Sequence, residues 1–128
     1  MVRLLVIGTG GMAANHARAF AAMPGVELVG GVDPRPEPLA AFNAEHGIAR
    51  GFASLDEALA WGAFDAATNV TPDAAHYPTT MPLLAAGKHV LCEKPLATNA
   101  ADAEAMAEAA ARAGVVNMVN LSYRDVPA

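Results

Sequence analysis

The 128-residue chain has little of several features that define other protein classes. Its single cysteine excludes a disulfide framework, a cysteine-based zinc site and a CxxC redox motif. No apolar run reaches the roughly 18 residues that a membrane span requires. The net charge of −5 leaves no excess of basic residues for binding nucleic acid. The N-terminus lacks a basic region followed by an A-x-A cleavage site, so no signal peptide is predicted.

The composition that remains is typical of one globular domain. Apolar residues make up 54% of the chain and charged residues 16%, which excludes intrinsic disorder. A chain of this length buries roughly two-thirds of its unfolded surface, which is enough for one core. We therefore expect a single cytoplasmic domain over residues 1–128, with neither nucleic acid nor a membrane as a partner.

Strand and helix patterns alternate along the sequence. The predicted strands are 3–7, 27–33, 50–53, 66–70, 89–92 and 115–121, and the predicted helices are 12–23, 36–46, one capped by Ser54, 79–86 and one capped by Thr98 that runs to 113. The fourth helix is started at Thr79 because Pro82 is tolerated only in a first turn. This alternation predicts an α/β fold with a doubly wound, parallel, six-stranded sheet in the order 3-2-1-4-5-6.

A glycine-rich turn follows the first predicted strand and opens the first predicted helix, as the motif G-x-G-x-x-G/A requires. The candidate coenzyme contacts in this turn are Gly8, Thr9, Gly10, Gly11 and Met12, with Ala13 as the last motif position. Gly8 permits the tight turn, and Gly10 lets the backbone approach a pyrophosphate. The helix N-terminus adds free N–H groups and partial positive charge. The turn predicts a dinucleotide phosphate site, and an ordinary glycine turn is the alternative.

Asp33 ends the second predicted strand, where dinucleotide-binding folds place an acidic residue. Its carboxylate would accept hydrogen bonds from the adenosine ribose hydroxyls and repel a 2′-phosphate, so NAD is the favoured coenzyme. Arg35 leaves NADP open, because an arginine at this place can turn toward a 2′-phosphate. The alternative for Asp33 is a turn residue before Pro34.

Glu93 and Lys94 stand at the end of the fifth predicted strand, within the segment GKHVLCEKPLA (residues 87–97). Open parallel sheets bind ligands at the carboxyl edge of their strands. A solvated surface lysine is the ordinary interpretation of Lys94. The following Pro95 restricts the backbone, and a sharp bend there would turn Lys94 into the cleft.

With these motifs in place, the chain resembles the N-terminal half of the Gfo/Idh/MocA oxidoreductases, the family of glucose–fructose oxidoreductase and inositol dehydrogenase. The resemblance rests on GTGGMAANHARAF, TPDAAH, GKHVLCEKPLA and NLSYRDVPA, which occur in this order and span nearly the whole chain. It implies a Rossmann domain that binds NAD or NADP, with Lys94 at the reaction centre. Alcohol oxidation removes a proton from oxygen as hydride leaves carbon, so Lys94 is the expected base or polarising group.

The same resemblance implies further coenzyme contacts near the nicotinamide. These are Asn69, Thr71, Pro72, His76, Glu93 and Arg124. A helix-capping or packing role is the alternative for His76, and orientation of the loop is the alternative for Glu93. A solvated tail is the alternative for Arg124 and its neighbour Tyr123. His16 on the first helix matches a family position and is interpreted as a packing residue.

The family has a second, C-terminal α+β domain that supplies most of the substrate pocket, and the sequence contains no such domain. We therefore expect the chain alone to bind dinucleotide but to be inactive, with a sugar or polyol as substrate only where a second domain is present. Apolar surface left exposed would favour homo-oligomers. The alternative function is a stand-alone, non-catalytic dinucleotide-binding or interaction module.

Overall fold

The computed structural model describes residues 1–121, which contain all the predicted strands and helices. The strands are β1 (Val2–Ile7), β2 (Val26–Val32), β3 (Arg50–Phe52), β4 (Ala66–Asn69), β5 (His89–Glu93) and β6 (Asn117–Asn120). The α-helices are α1 (Gly11–Ala21), α2 (Pro36–His46), α3 (Leu55–Trp61), α4 (His76–Ala85) and α5 (Ala100–Ala113), with a 3₁₀ turn at Asp73–Ala75. Within residues 1–121, no helix has the length and apolar character that crossing a membrane demands.

The six strands form one parallel sheet in the order β3-β2-β1-β4-β5-β6, which confirms the predicted topology. The strand order reverses between β1 and β4, which makes this the topological switch point of the sheet. At the carboxyl edge, Ile7 of β1 pairs with Asn69 of β4, and Asn69 pairs with Cys92 of β5. The loops that follow these three strands therefore lie side by side.

Apolar packing on both faces holds this edge in place. The central strand β1 is buried from Leu4 through Ile7, without the alternation of a strand that has one face in water. Leu5 packs with side chains of α3, α4 and α5 on one face. Val6 packs with side chains of α1 and α2 on the other face. Helices on both faces make the sheet doubly wound.

A second cleft is apolar and lies over the strands that α1 and α2 leave uncovered. It has a volume of about 260 Å³. Its lining includes Val2, Leu4, Phe20, Leu91 and Met118. Val2 and Met118 are exposed, so this cleft presents apolar side chains to solvent.

The start of α4 and the cap of α5 differ from the predictions. Helix α4 begins at His76 rather than at Thr79, and Pro82 lies inside it. Its buried residues are His76, Thr80, Leu83 and Leu84, whose spacing forms one continuous stripe. Packing of this stripe outweighs the hydrogen bond that Pro82 cannot donate, so the prediction based on proline alone was wrong.

Helix α5 is capped by Asn99 and not by Thr98. The Asn99 side-chain oxygen accepts a hydrogen bond from the Asp102 amide at 2.9 Å, which places the cap one residue later than predicted. The Ser54 cap is confirmed, since its hydroxyl oxygen accepts from the Glu57 amide at 3.3 Å. The other predicted bounds lie within two residues of the observed ones.

Candidate functional site

A cavity of about 610 Å³ opens at the carboxyl edge of the sheet, between the turns that follow β1, β2 and β4. This volume is in the range of sites for small molecules and cofactors. The predicted site residues that line it are Gly8, Thr9, Gly10, Gly11, Met12, Asp33, Arg35, Thr71 and Pro72. Residues that line it without having been predicted as site residues are Ile7, Val32, Pro34, Leu55, Val70 and Thr79.

The glycine turn forms the inner wall of this cavity. Gly8 has a φ of +93°, and a Cβ built there would lie 2.6 Å from the Val70 carbonyl oxygen. Gly8 is therefore required both by backbone conformation and by the close approach of the turn after β4. A Cβ on Gly10 would meet no atom within 4 Å, because this glycine borders open space.

The N-terminus of α1 has no side-chain cap and no acidic residue in its first turn. The amide of Ala14 is the first to bond within the helix, to the Gly10 carbonyl oxygen. The amides of Gly11, Met12 and Ala13 therefore have no intrahelical partner. Together with the helix dipole they offer an anion site at the cavity wall.

Asp33 and Arg35 form an ion pair at the end of β2. The Asp33 side chain is 4% exposed and the Arg35 side chain is 63% exposed. Arg35 donates from Nε to Oδ1 at 3.0 Å and from Nη2 to Oδ2 at 2.9 Å, and its amide donates to Oδ1 at 2.9 Å. The Thr9 hydroxyl donates to Oδ2 at 2.7 Å. Hydrogen bonds from Arg35, followed by that from Thr9, hold the pKa of Asp33 well below its usual range despite burial, so the carboxylate is ionised.

Asn69 is fully buried beneath the turn after β4 and is not among the residues that line the cavity. Its side-chain amide donates to the His76 carbonyl oxygen at 3.3 Å and to the Thr80 hydroxyl at 3.0 Å. Its side-chain oxygen accepts from the Thr71 hydroxyl at 2.7 Å. Because these contacts use both ends of the buried Asn69 side chain, its role is to shape the turn that carries Thr71.

His76 is fully buried and does not line the cavity. Its Nε2 lies 2.8 Å from the Thr71 carbonyl oxygen, and its Nδ1 lies 2.5 Å from the Pro95 carbonyl oxygen. The ring thus joins the turn after β4 to the loop after β5. These contacts and the burial of the ring are typical of the packing role given above as the alternative for His76.

Glu93 belongs to a buried network that ties α1 to the end of β5. Its Oε1 lies 2.7 Å from Nε2 of His16 and accepts from the side-chain Nδ2 of Asn120 at 2.7 Å. The other ring nitrogen of His16 lies 2.6 Å from the Thr68 hydroxyl. Burial acts to raise the pKa of Glu93, but hydrogen bonds from Asn120 and His16 outweigh it and lower that pKa. The carboxylate is therefore ionised, and His16 donates to it from Nε2.

The polar role of His16 was missed when the residue was interpreted as packing. A signal for it was present, since Ala13, His16 and Ala17 form the buried stripe of α1. A histidine on such a stripe needs a polar partner. The partners are Thr68 of β4 and Glu93 of β5, which contact His16 only in the folded chain and so are not visible in the helix pattern.

Lys94 follows this network and is exposed. It is joined to Pro95 by a cis peptide bond, and its amide donates to Oε2 of Glu93 at 3.3 Å. Lys94 does not line the cavity. Its two neighbours are nevertheless tied to the cavity walls, Glu93 to His16 of α1 and Pro95 through His76 to the turn after β4. Arg124 and Tyr123 lie outside the described residues.

Gly10 and Lys94 stand on the same edge of the sheet. Gly10 follows β1, Lys94 follows β5, and only β4 separates the two strands. At roughly 4.8 Å between neighbouring strands, the ends of β1 and β5 are about 10 Å apart. A single elongated ligand can reach both loops.

Comparison with known proteins gives a consistent result. The model of the GFO_IDH_MocA family, described as an oxidoreductase family with an NAD-binding Rossmann fold, matches residues 2–121. The chain is 35% identical over 127 residues to scyllo-inositol 2-dehydrogenase (NADP(+)) of Bacillus subtilis, covering 99% of this chain and 39% of that protein. It is 41% identical over 103 residues to inositol 2-dehydrogenase of Leifsonia xyli, covering 80% of this chain and 30% of that protein.

A solved structure shows the same fold. The WlbA dehydrogenase of Bordetella pertussis, in complex with NADH and UDP-GlcNAcA, superposes with a TM-score of 0.91 and 37% sequence identity. The match covers 97% of this chain and 38% of that one. The chain therefore spans about two-fifths of the length of these proteins or less.

Proposed function

Since this chain belongs to the Gfo/Idh/MocA oxidoreductase family, whose NAD-binding Rossmann fold it has, we propose that it is the coenzyme-binding part of an NAD(P)-dependent dehydrogenase. The proposed reaction moves hydride between the nicotinamide and a secondary alcohol of a sugar or polyol. Relatives named for inositols support this substrate class. One observation carries the proposal: the cavity at the switch point has an uncapped helix N-terminus at one wall and the Asp33–Arg35 ion pair at the other.

The residues of the cavity fit a dinucleotide. Gly10 leaves open the space that a pyrophosphate would take. The free amides at the N-terminus of α1 favour a ligand group with negative charge at this place. Asp33 and Arg35 stand at the strand end where the adenosine ribose is held in this fold. When bound, the coenzyme supplies the carbon that accepts or donates hydride.

Lys94 is proposed to hold and move the proton of the substrate hydroxyl. Its side chain is exposed at the end of β5, while the backbone on both sides is tied by buried contacts, Glu93 to His16 and Pro95 to His76. A fixed backbone sets the point beside the cavity from which the lysine side chain reaches, and proton transfer to a held substrate requires such positioning. Arg124 is proposed to approach the nicotinamide from the segment after β6.

Substrate binding is proposed to need a further domain, so the chain alone should bind dinucleotide without turning over a sugar. Residues 1–128 are proposed to act as one domain. The apolar cleft over β1, β4, β5 and β6 supports association between copies, since it exposes Val2 and Met118. A non-catalytic dinucleotide-binding module remains the competing function, because the cavity does not extend to Lys94.

Calorimetric titration with NADH and NADPH tests the coenzyme site. Gly10→Val places a side chain in open space, so the fold should remain while the pyrophosphate position is filled. We expect at least tenfold weaker binding of either dinucleotide. The control Ala107→Val places a valine at an exposed position of α5 and should leave the affinity unchanged. Absence of binding to the unaltered chain at millimolar dinucleotide would contradict the proposed function.

A further inference from the structure

His76 directs both of its ring nitrogens at oxygen atoms that can only accept hydrogen bonds. Nε2 lies 2.8 Å from the Thr71 carbonyl oxygen and Nδ1 lies 2.5 Å from the Pro95 carbonyl oxygen, and the side chain is fully buried. A neutral imidazole has one N–H donor and one lone pair, whereas the protonated ring has two donors. Both contacts are therefore hydrogen bonds only when the ring carries a positive charge.

A neutral ring would make one of these two contacts unfavourable. A nitrogen lone pair would then face a carbonyl oxygen at a buried position, where a polar group without a partner is costly. Distances of 2.5 and 2.8 Å are at the short end for N–H···O bonds, as is typical of charged donors. Burial and the positive end of the α4 dipole oppose the charge, so the second proton is one that the ring can lose.

No acidic side chain within residues 1–121 neutralises a charge on this ring. In that range its hydrogen bonds go to the two carbonyl oxygens, and it forms no ion pair with a carboxylate. Glu93 is ionised, but its oxygens bond to the other partners described above. Burial raises the pKa of the Cys92 thiol to about 11, so this neighbour is neutral. The titratable side chains on the elements around His76 are Asp73, Tyr77, Cys92, Glu93, Lys94 and Asp102.

We propose that His76, in its doubly protonated form, is a positioning residue for Lys94. The charged ring bonds the turn after β4, which lines the cavity, to the loop that begins with Lys94 and Pro95. Loss of one proton removes one of the two bonds, and the lysine loop is then no longer tied to the cavity wall. The consequence for catalysis rests on the proposed function, because that function makes Lys94 the proton carrier.

Nuclear magnetic resonance of the ¹⁵N-labelled chain without coenzyme tests the inference. Long-range ¹H–¹⁵N spectra of the imidazole rings distinguish the doubly protonated ring from each neutral tautomer, and they are recorded at pH values from about 5 to about 8. The amide of Leu96 reports on the loop, because it belongs to the same peptide group as the Pro95 carbonyl. His16 is tied to Lys94 through Glu93, so its ring is followed in the same spectra.

Two variants separate the effect of this ring from general changes in the chain. His76→Gln supplies a side-chain amide that does not titrate, and His89→Gln is the control that removes an exposed histidine of β5. We expect a doubly protonated His76 ring at the acidic end of the series. The amides of Leu96 and Lys94 should shift with the midpoint at which this ring loses a proton. His76→Gln should reduce the Leu96 shift at least threefold, and His89→Gln should leave it unchanged.

Two results overturn the inference. A His76 ring that is neutral throughout the series, in either tautomer, would show that one carbonyl contact is not a hydrogen bond. A Leu96 amide that stays unchanged while His76 titrates, or that follows His16 instead, would show that the ring does not hold the loop. Both results are read from the unaltered chain, so they do not depend on the folding of a variant. Absence of NADH binding in the calorimetric titration would instead remove the proposed function and the consequence for catalysis.

Discussion

The two halves of the candidate site differ in the groups that form them and in how deeply those groups are buried. The half around Gly10 and Asp33 consists of backbone amides, glycines and an ion pair whose arginine reaches into solvent. The half around Lys94 rests on buried side chains, with His16 and His76 as its two connecting rings. The first half can adapt to a ligand, because its outermost group is the exposed side chain of Arg35. The second half fixes a backbone, because its contacts are buried and leave little room to move.

Gly8→Ala should have the largest effect, since it affects the point where the two halves meet. The new methyl group would lie 2.6 Å from the backbone oxygen of Val70, at a φ of +93°. We expect a loss of roughly 2–4 kcal/mol in the free energy of unfolding, measured by urea denaturation. Gly10→Ala is the control and should cost less than about 1 kcal/mol. Equal losses in the two variants would contradict the account of the turn.

His16→Ala tests the buried half directly. It leaves the Glu93 carboxylate with one fewer donor and the Thr68 hydroxyl without its ring partner. We expect a loss of roughly 2 kcal/mol in the free energy of unfolding. The neighbouring Asn15→Ala, at an exposed position, should change it by less than about 0.5 kcal/mol. A His16 variant as stable as the Asn15 variant would show that the network does not support the fold.

Acidification should weaken the same half through Glu93. The pKa of this carboxyl is lowered in the folded chain relative to its ordinary value of 4.5. Its ionised form therefore contributes stability above about pH 4.5, and the contribution is lost as the pH falls through the lower folded value. Glu93→Gln should flatten the fall of the unfolding free energy below pH 4.5, measured by urea denaturation at a series of pH values. An unchanged pH profile in Glu93→Gln would assign the acid sensitivity to other carboxylates.

Thr9→Val should have the smallest effect on stability, because it changes the adaptable half. It removes the hydroxyl bond to Asp33 at 2.7 Å, while Arg35 continues to hold the carboxylate. We expect a loss of about 0.5–1 kcal/mol, read from thermal unfolding. A loss larger than that of His16→Ala would reverse the comparison between the two halves.

The same division explains what the sequence could predict. Sheet order, the glycine turn and the Ser54 cap depend on local patterns, and all three are confirmed. The predicted start of α4 was wrong because it considered only the effect of Pro82 and not the stabilisation from the buried stripe of the helix. The roles of Asn69 and His76 depend on partners in loops that come together only in the folded chain. The sequence motif predicts that these two side chains lie near the site. Only the tertiary contacts show that both are buried under the loops that line it.

The central claim is that the glycine turn and the lysine loop serve one bound dinucleotide. Titration of the ¹⁵N-labelled chain with NADH and with ADP-ribose, followed by amide chemical shifts, tests it most directly. We expect the amides of Gly10 and Gly11 to shift with both ligands, and the amide of Lys94 to shift with NADH alone. A Lys94 amide that stays unchanged at saturating NADH, while Gly10 shifts, would contradict the claim.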